Sequence, residues 1–149
     1  MESGNKNIRR NIRLIFQYDG TRYSGFQRQK NLPTIQGELE NAIKIITKSH
    51  SHVISSGRTD AGVHALAQVA NFKTHATIPA KKFVPALNSV LPNDIRIINA
   101  KDVPWEFHAR FDAIWKTYEY SIDTRPIQSV FTRNFTWHLN LPLNINKMK

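Results

Sequence analysis

The stretch from Ser55 to Ala65 constrains this chain most, because two glycines within it bound an arginine and an aspartate. Apolar-leaning segments lie on either side, which predicts two strands joined by a loop at one end of a sheet. Glycine permits a tight turn and a close approach of another backbone or a ligand. In an extended loop the side chains of Arg58 and Asp60 leave on the same side. The loop can therefore present a cation that grips a phosphate beside a carboxylate that acts as nucleophile or base.

The same tripeptide has a simpler interpretation. Next to glycine, an Arg-x-Asp sequence is often a turn in which the aspartate caps backbone N–H groups and the arginine is solvated. Spacing alone does not separate such a turn from a site, so the interpretation depends on the rest of the chain.

The charge of the chain favours an anionic partner. Among 149 residues, 21 Lys and Arg stand against 11 Asp and Glu, which leaves a net charge of +10. Such an excess favours nucleic acid first and an acidic membrane surface second, with a solvated basic surface as the alternative. No apolar run approaches the ~20 residues of a membrane helix. The absence of cysteine excludes a disulfide scaffold, a cysteine-type zinc site and a thiol nucleophile, and it fits an intracellular setting.

Periodicity predicts strands and two helices in the first hundred residues. Residues 12–18 alternate apolar and polar side chains, which is typical of a strand with one buried face. Thr34 is suited to cap a helix that continues to about His50, and Pro79 begins a second helix. Another strand is expected from Ile95.

A last strand is predicted where Ile114, Lys116, Tyr118, Tyr120 and Ile122 share one core-directed face. The resulting order is β-α-β-β-α-β-β. It predicts an α+β sandwich, similar to ferredoxin-like and RNA-recognition folds, with a largely antiparallel sheet and helices on one face.

The chain is expected to have three parts. Residues 1–10 form a flexible basic arm, residues 11–123 an N-terminal α/β domain, and residues 124–149 the start of a linker or second half. A weak strand is expected over residues 135–139 within the last part.

Two predicted loops mix basic and aromatic residues. In the first, Arg22 and Arg28 alternate with Tyr23 and Phe26, and in the second Arg110 lies among aromatic residues. Such loops suit single-stranded or flipped nucleotides, because cations hold phosphates while rings stack on bases. The alternative is that Tyr23 and Phe26 fill the end of the core.

Several short motifs occur in the order found in one family. They are Tyr18-Asp19-Gly20-Thr21, Gly25-Phe26-Gln27, Thr34-Ile35-Gln36, the Gly57 to Ala65 loop, Leu91-Pro92, Phe107-His108-Ala109-Arg110-Phe111 and Lys116-Thr117-Tyr118. With this series the chain resembles the TruA family of tRNA pseudouridine synthases over roughly residues 12 to 122.

The resemblance implies an enzyme that isomerises uridine to pseudouridine in the anticodon stem-loop of tRNA, without a metal or other cofactor. It implies that Asp60 is the essential catalytic residue, that Arg58 helps to hold the flipped RNA, and that Tyr118 packs against the base beside a basic Lys116. The further candidate RNA contacts are Arg22, Arg28, Gln29, His64 and Arg110. The family works as a cytoplasmic homodimer, so tRNA and a second subunit are the expected partners, and no membrane is expected.

Two departures from the family pattern bear on activity. Phe26 stands where the family usually has tryptophan. After about Ile122 nothing supplies the family's second half, whose arginine pairs with the catalytic aspartate. The alternative is therefore a non-catalytic RNA-binding fragment. A carboxylate-using hydrolase is a third candidate, but such enzymes need two carboxylates and the loop offers only Asp60.

Overall fold

The computed structural model describes residues 9–148, which form two compact units divided in sequence between Ile114 and Trp115. The first unit holds a four-stranded antiparallel sheet and two helices, which confirms the predicted α+β class. Its strands are β1 (Arg10–Tyr18), β2 (Ile54–Ser55), β3 (Ala65–Thr74) and β4 (Ile95–Val103), and its helices are α1 (Ile35–Thr47) and α2 (Phe83–Val90). The strand order in the sheet is β2-β3-β1-β4.

One face of the sheet is built into the core. Ile12, Leu14 and Phe16 alternate along β1 and are fully buried, as the period-two pattern predicts. They belong to a single cluster with side chains from both helices, among them Leu39, Ile43, Phe83 and Leu87. On the other face of β1, Arg13 and Ile15 are only partly buried. One face of the sheet is therefore covered by the core, whereas the other is only partly buried at these two positions and carries a charged side chain.

The start of α1 follows the sequence signal, whereas α2 begins at Phe83, after a 3₁₀ turn over Ala80–Lys82, and not at Pro79 as predicted. The Oγ1 of Thr34 accepts a hydrogen bond from the Gly37 N–H at 3.2 Å and caps α1, as predicted. The helix ends at Thr47, a few residues before the predicted end, because Lys48 adopts a left-handed conformation with φ of 60°. No helix among the described residues has the length and apolar character needed to cross a membrane.

The segment before residue 122 differs from the prediction. Residues 113–121, all within the described part, form no strand, and Ile114, Tyr118 and Tyr120 are 92%, 69% and 83% exposed. The predicted strand with a core-directed face is therefore wrong for this chain. Alternation makes a strand only where a neighbouring strand pairs with the backbone and a second layer covers the apolar side. No described strand pairs with this segment.

The second unit contains little regular structure. Ile122–Asp123 (β5) pairs in parallel with Trp137–His138 (β6), which falls inside the weak strand expected over residues 135–139. The carboxylate of Asp123 accepts hydrogen bonds from the Arg125 guanidinium at 2.8 and 2.7 Å, and these bonds lower the pKa of that carboxyl. The first unit ends at Ile114, and the longer domain over 11–123 stays a prediction for the whole protein.

The predicted basic arm lies mostly outside the described residues, which begin at residue 9. Its last residue, Arg10, is instead the first residue of β1. The Arg10 guanidinium binds the Asp102 carboxylate at 2.8 and 3.0 Å and donates to the carbonyls of Ala76 and Ile78. These bonds fix the start of the sheet.

Candidate active site

The loop between β2 and β3 is fastened by its backbone to the segment that follows β1. The Phe26 N–H donates to the Thr59 carbonyl at 2.9 Å, and the Gly62 N–H donates to the Tyr23 carbonyl at 3.2 Å. These two bonds lie on either side of Asp60 in the sequence. The backbone that carries Asp60 is therefore held at both ends.

Side chains at the base of the loop add further bonds. The hydroxyls of Tyr18 and Thr59 share a hydrogen bond of 2.8 Å, and burial of the Tyr18 ring raises the pKa of that phenol. On the β2 side, the Gln68 Nε2 donates to the Gly57 carbonyl at 3.0 Å, and its Oε1 accepts from Ser56 at 2.7 Å. These bonds hold the backbone from which the charged side chains of the loop project.

Two glycines allow the two segments to approach so closely. Gly25 has φ of +89°, and a Cβ at that position would lie 2.9 Å from the Thr59 carbonyl oxygen. A Cβ on Gly20 would lie only 2.0 Å from the carbonyl oxygen of Val63. Each would collide with backbone, which cannot move aside as a flexible side chain can. Glycine is therefore required at both positions for the two segments to pack in this way.

The Gly20 contact provides a test of this packing. We expect Gly20→Ala to lower the free energy of unfolding by at least about 3 kcal/mol, because the added methyl overlaps the Val63 carbonyl. Gly62→Ala is the matched control, since no atom lies within 4 Å of its added Cβ and only its φ of +78° is strained. That control should cost about 1 kcal/mol. Urea denaturation measures both, and equal losses would contradict the close packing.

The charged side chains of the loop are not used to hold it together. Arg58 and Asp60 are both exposed. Within residues 9–148 neither side chain makes a hydrogen bond or an ion pair. The part of the simpler interpretation in which Asp60 caps backbone N–H groups is therefore wrong, whereas Arg58 is exposed, as that interpretation expects. Among the described residues, the Asp60 carboxylate and the Arg58 guanidinium bind no other side chain, and both project from a backbone that hydrogen bonds hold in place.

His64, predicted to contact RNA, lies at the end of the same loop. Its Nδ1 accepts a hydrogen bond from the Gly20 N–H at 3.0 Å and lies 3.1 Å from the Asp19 Oδ1. Burial raises the pKa of Asp19, but hydrogen bonds from Thr21 and the contact with His64 together outweigh it, so that the pKa lies below its usual value. His64 thus braces the loop, and its contact with RNA stays a prediction.

The three polar candidates after β1 have protein partners. The Nε and Nη2 of Arg22 donate to the Asp94 carboxylate at 3.0 and 2.7 Å, and Arg28 binds Glu40 at 2.8 Å. Gln29 donates to a backbone carbonyl at 2.7 Å. The Arg22 side chain is still 74% exposed and the Arg28 side chain 54%. Their RNA contacts stay predictions, and they would be made by the sides of the guanidinium groups that face solvent.

The aromatic residues of this segment belong to the core. Tyr23 and Phe26 are 7% and 2% exposed, so the alternative that they fill the end of the core is confirmed. The Tyr23 hydroxyl donates to the Asp94 Oδ1 at 2.6 Å, and burial together with this carboxylate raises the pKa of the phenol. Asp94 thus binds both Tyr23 and Arg22, a role that the sequence did not reveal because the partners are far apart in the chain.

The remaining candidates belong to other segments of the sequence. Arg110 is exposed in the first unit, directly after Ala109, whose N–H donates to the Asn71 side chain at 2.9 Å. Lys116 and Tyr118 are exposed in the second unit. The structure therefore groups Arg58, Asp60 and His64 on one loop. In the described part of the chain, no three His, Asp or Glu side chains are grouped so that they could hold a metal ion.

Comparisons with known proteins agree with the order of the motifs. A family model described as tRNA pseudouridine synthase matches residues 14–112. The chain is 55% identical over 141 residues to tRNA pseudouridine synthase A 2 of Clostridium tetani, a match that covers 93% of this chain and 57% of the relative. It is 52% identical over 140 residues to tRNA pseudouridine synthase A of Thermoanaerobacter pseudethanolicus and 49% identical over 140 residues to that of Caldicellulosiruptor bescii, matches that cover 94% of this chain and 57% of each relative. The chain thus spans little more than half the length of these relatives. By its motifs, its matched region and these identities, the chain belongs to the tRNA pseudouridine synthase family.

Proposed function

We propose that this chain supplies the aspartate-bearing half of a tRNA pseudouridine synthase, and that the whole protein isomerises uridine to pseudouridine in the anticodon stem-loop of tRNA. The observation that carries the proposal is the braced loop at residues 56–64, on which the carboxylate of Asp60 is exposed and has no partner within residues 9–148. A carboxylate that served only the fold would be expected to use its oxygens in caps or ion pairs.

The chemistry fits a single carboxylate. Pseudouridine formation breaks the bond between N1 of uracil and C1′ of the ribose, turns the base, and joins C5 to C1′. The C5 proton leaves and N1 gains a proton, so atoms balance and nothing is oxidised or reduced. Asp60 would act either as a nucleophile or as a base that removes a ribose proton. Both roles require a carboxylate whose backbone is held in place next to the uridine.

The uridine has to leave the base stack before Asp60 can reach it. Arg58 is placed to stabilise the flipped state, because its exposed guanidinium can grip a phosphate or stack on a base. Tyr118 is proposed to pack against the base and Lys116 to contact the RNA. In this chain both residues belong to the second unit, so these two roles are proposed for the whole protein and not for this chain alone.

The proposal extends to the fold and the partners. The order βαββαβ with the sheet arrangement β2-β3-β1-β4 supports a ferredoxin-like domain of the RNA-recognition type. We expect the whole protein to be a homodimer that acts in the cytoplasm, where its tRNA substrate is found. The exposed apolar side chains of residues 113–121 would then be covered by the remainder of the protein.

The direct test is release of tritium from tRNA labelled at C5 of uridine. The test uses this chain extended by the segment that its relatives carry. Release that requires a uridine in the anticodon arm supports the proposal. A tRNA in which cytidine replaces every uridine of that arm is the control. Equal release from this tRNA would contradict the assignment of the site, and no release from either would contradict the reaction.

Arg58 provides a more specific prediction. We expect Arg58→Ala to lower the rate of tritium release by about 100-fold, because the flipped state is no longer held in place. Binding of the same tRNA should weaken by no more than about 3-fold, since one exposed cation contributes little to affinity. Arg22→Ala is the matched control, and it should affect binding more than the rate. A variant of Arg58 that lost affinity without losing rate would contradict this role.

A further inference from the structure

The face of the sheet opposite the core carries a row of basic side chains. Arg13 lies in the middle of β1, where its cross-strand partners are Lys101 on β4 and Asn71 on β3. Two residues earlier along β1, Asn11 pairs with Lys73 of β3. Residues paired directly across an antiparallel sheet share a face, so Arg13, Lys73 and Lys101 lie on the same side. We name these three residues the sheet-face cations.

The sheet-face cations have no carboxylate partner among the described residues. The Nε of Arg13 is buried and has no hydrogen-bond partner. It is the one buried side-chain nitrogen or oxygen of residues 9–148 for which this holds. Like charges directly across a sheet destabilise it, and a partly buried guanidinium without an acceptor costs additional free energy. The binding of an anion to this row would offset the repulsion between its like charges.

The nearby carboxylate and amide oxygens are already in use. Asp102 follows Lys101 in β4, but it pairs with Ile12 on the core side of the sheet and binds Arg10. The Asn71 Oδ1 accepts from the Ala109 N–H at 2.9 Å, and its Nδ2 donates to the side chain of Asn11 at the same distance. The described strands therefore offer donors and positive charge on this face without a free carboxylate of their own.

An aromatic ring borders the same row. The Asn11 Nδ2 donates to the carbonyls of Pro104, Trp105 and Phe107 at 3.0, 3.3 and 2.8 Å, which holds that loop against the sheet. The Lys73 Nζ lies 3.9 Å from the centre of the Trp105 ring. The ring is 38% exposed. Cations beside an accessible ring are the combination that binds nucleic acid backbone with its bases.

We propose that Arg13, Lys73 and Lys101 form a second RNA subsite, which binds backbone phosphates away from the uridine that Asp60 modifies. A planar guanidinium matches the oxygens of a phosphate, and a run of phosphates matches a row of cations. Arg13 lies five residues along β1 from Tyr18, which contacts the Asp60 loop, and this is about 17 Å at ~3.4 Å per residue. The subsite therefore contacts nucleotides several positions from the flipped base. The inference rests on the proposed function, because that function names the RNA.

The test compares two double variants of the 149-residue chain. Arg13→Gln with Lys101→Gln removes two sheet-face cations, and Lys44→Gln with Lys48→Gln removes two exposed lysines at the C-terminal end of α1. Fluorescence anisotropy with a labelled tRNA anticodon-arm hairpin gives the dissociation constant over a series of salt concentrations. For the sheet-face variant we expect about tenfold weaker binding at ~0.1 M salt and a salt slope smaller by about 2. The α1 variant should change binding by less than about 2-fold.

Thermal denaturation is measured alongside. The sheet-face variant should melt at or above the temperature of the unsubstituted chain, because a like-charge pair is removed. Equal salt slopes for the two double variants would overturn the subsite. A sheet-face variant that binds RNA normally but melts at a lower temperature in the family-length protein would also overturn the subsite. That result would mean that the sheet-face cations pair with a carboxylate in the rest of the protein. The salt slope does not depend on turnover, so absence of pseudouridine formation would affect only the proposed function.

Discussion

Asp60→Asn in the family-length protein is expected to lower pseudouridine formation by at least about 100-fold, with RNA binding and stability almost unchanged. The amide has the shape of the carboxylate but is neither a base nor an effective nucleophile. Because Asp60 is exposed and has no partner within residues 9–148, its replacement should change the free energy of unfolding by less than about 0.5 kcal/mol. Tritium release, anisotropy binding and urea denaturation measure the three quantities.

The control for this prediction is another exposed carboxylate of the first unit. Glu106 lies in the loop after β4 and forms no ion pair in the described part of the chain. Glu106→Gln removes the same charge and should leave the rate within about 2-fold. If Asp60→Asn kept its rate, the reactive carboxylate would lie elsewhere in the protein. If Asp60→Asn lost RNA binding as much as rate, Asp60 would hold the substrate and would not act on it.

The 149-residue chain alone is expected to form pseudouridine at least about 100-fold more slowly than the family-length protein. Asp60 has no cationic partner among residues 9–148, and a catalytic carboxylate that is not oriented by a fixed charge loses much of its effect. Ile114, Tyr118 and Tyr120 are also exposed in this chain, so we expect it to self-associate. Single-turnover tritium release measures the first effect and analytical ultracentrifugation the second.

An isolated chain that matched the family-length rate would contradict this second prediction. It would mean that an arginine already in the chain supplies the missing charge. Arg110 is the first residue to test, because it is exposed in the same unit as Asp60. Arg110→Ala would then abolish the rate of the isolated chain, whereas under the present account it changes only the affinity for RNA.

Local signals predicted much of the fold. The Thr34 cap, the alternation in β1 and the Gly-bounded loop between β2 and β3 each depend on a few neighbouring residues, and each is present in the structure. The order of the motifs also predicted the family correctly. Short-range chemistry decides these features, so one sequence is enough to recognise them.

Features that depend on distant partners could not be predicted. The bonds from Asp94 to Arg22 and Tyr23 join residues more than 70 positions apart. The alternation at residues 114–122 predicted a strand, but the pattern does not tell whether a neighbouring strand is present. The unpaired Nε of Arg13 follows from the register of three strands, which becomes visible only when the sheet is assembled.

Asp60 is proposed to be the catalytic carboxylate that this chain supplies. The most direct test mixes the 149-residue chain with the remaining segment of a relative, prepared as a separate polypeptide, and measures tritium release from C5-labelled tRNA. We expect no release by the separate segment alone, release when the unsubstituted chain is added, and none when the Asp60→Asn chain is added at the same concentration. Release that is equal with the unsubstituted chain and the Asp60→Asn chain would contradict this role of Asp60.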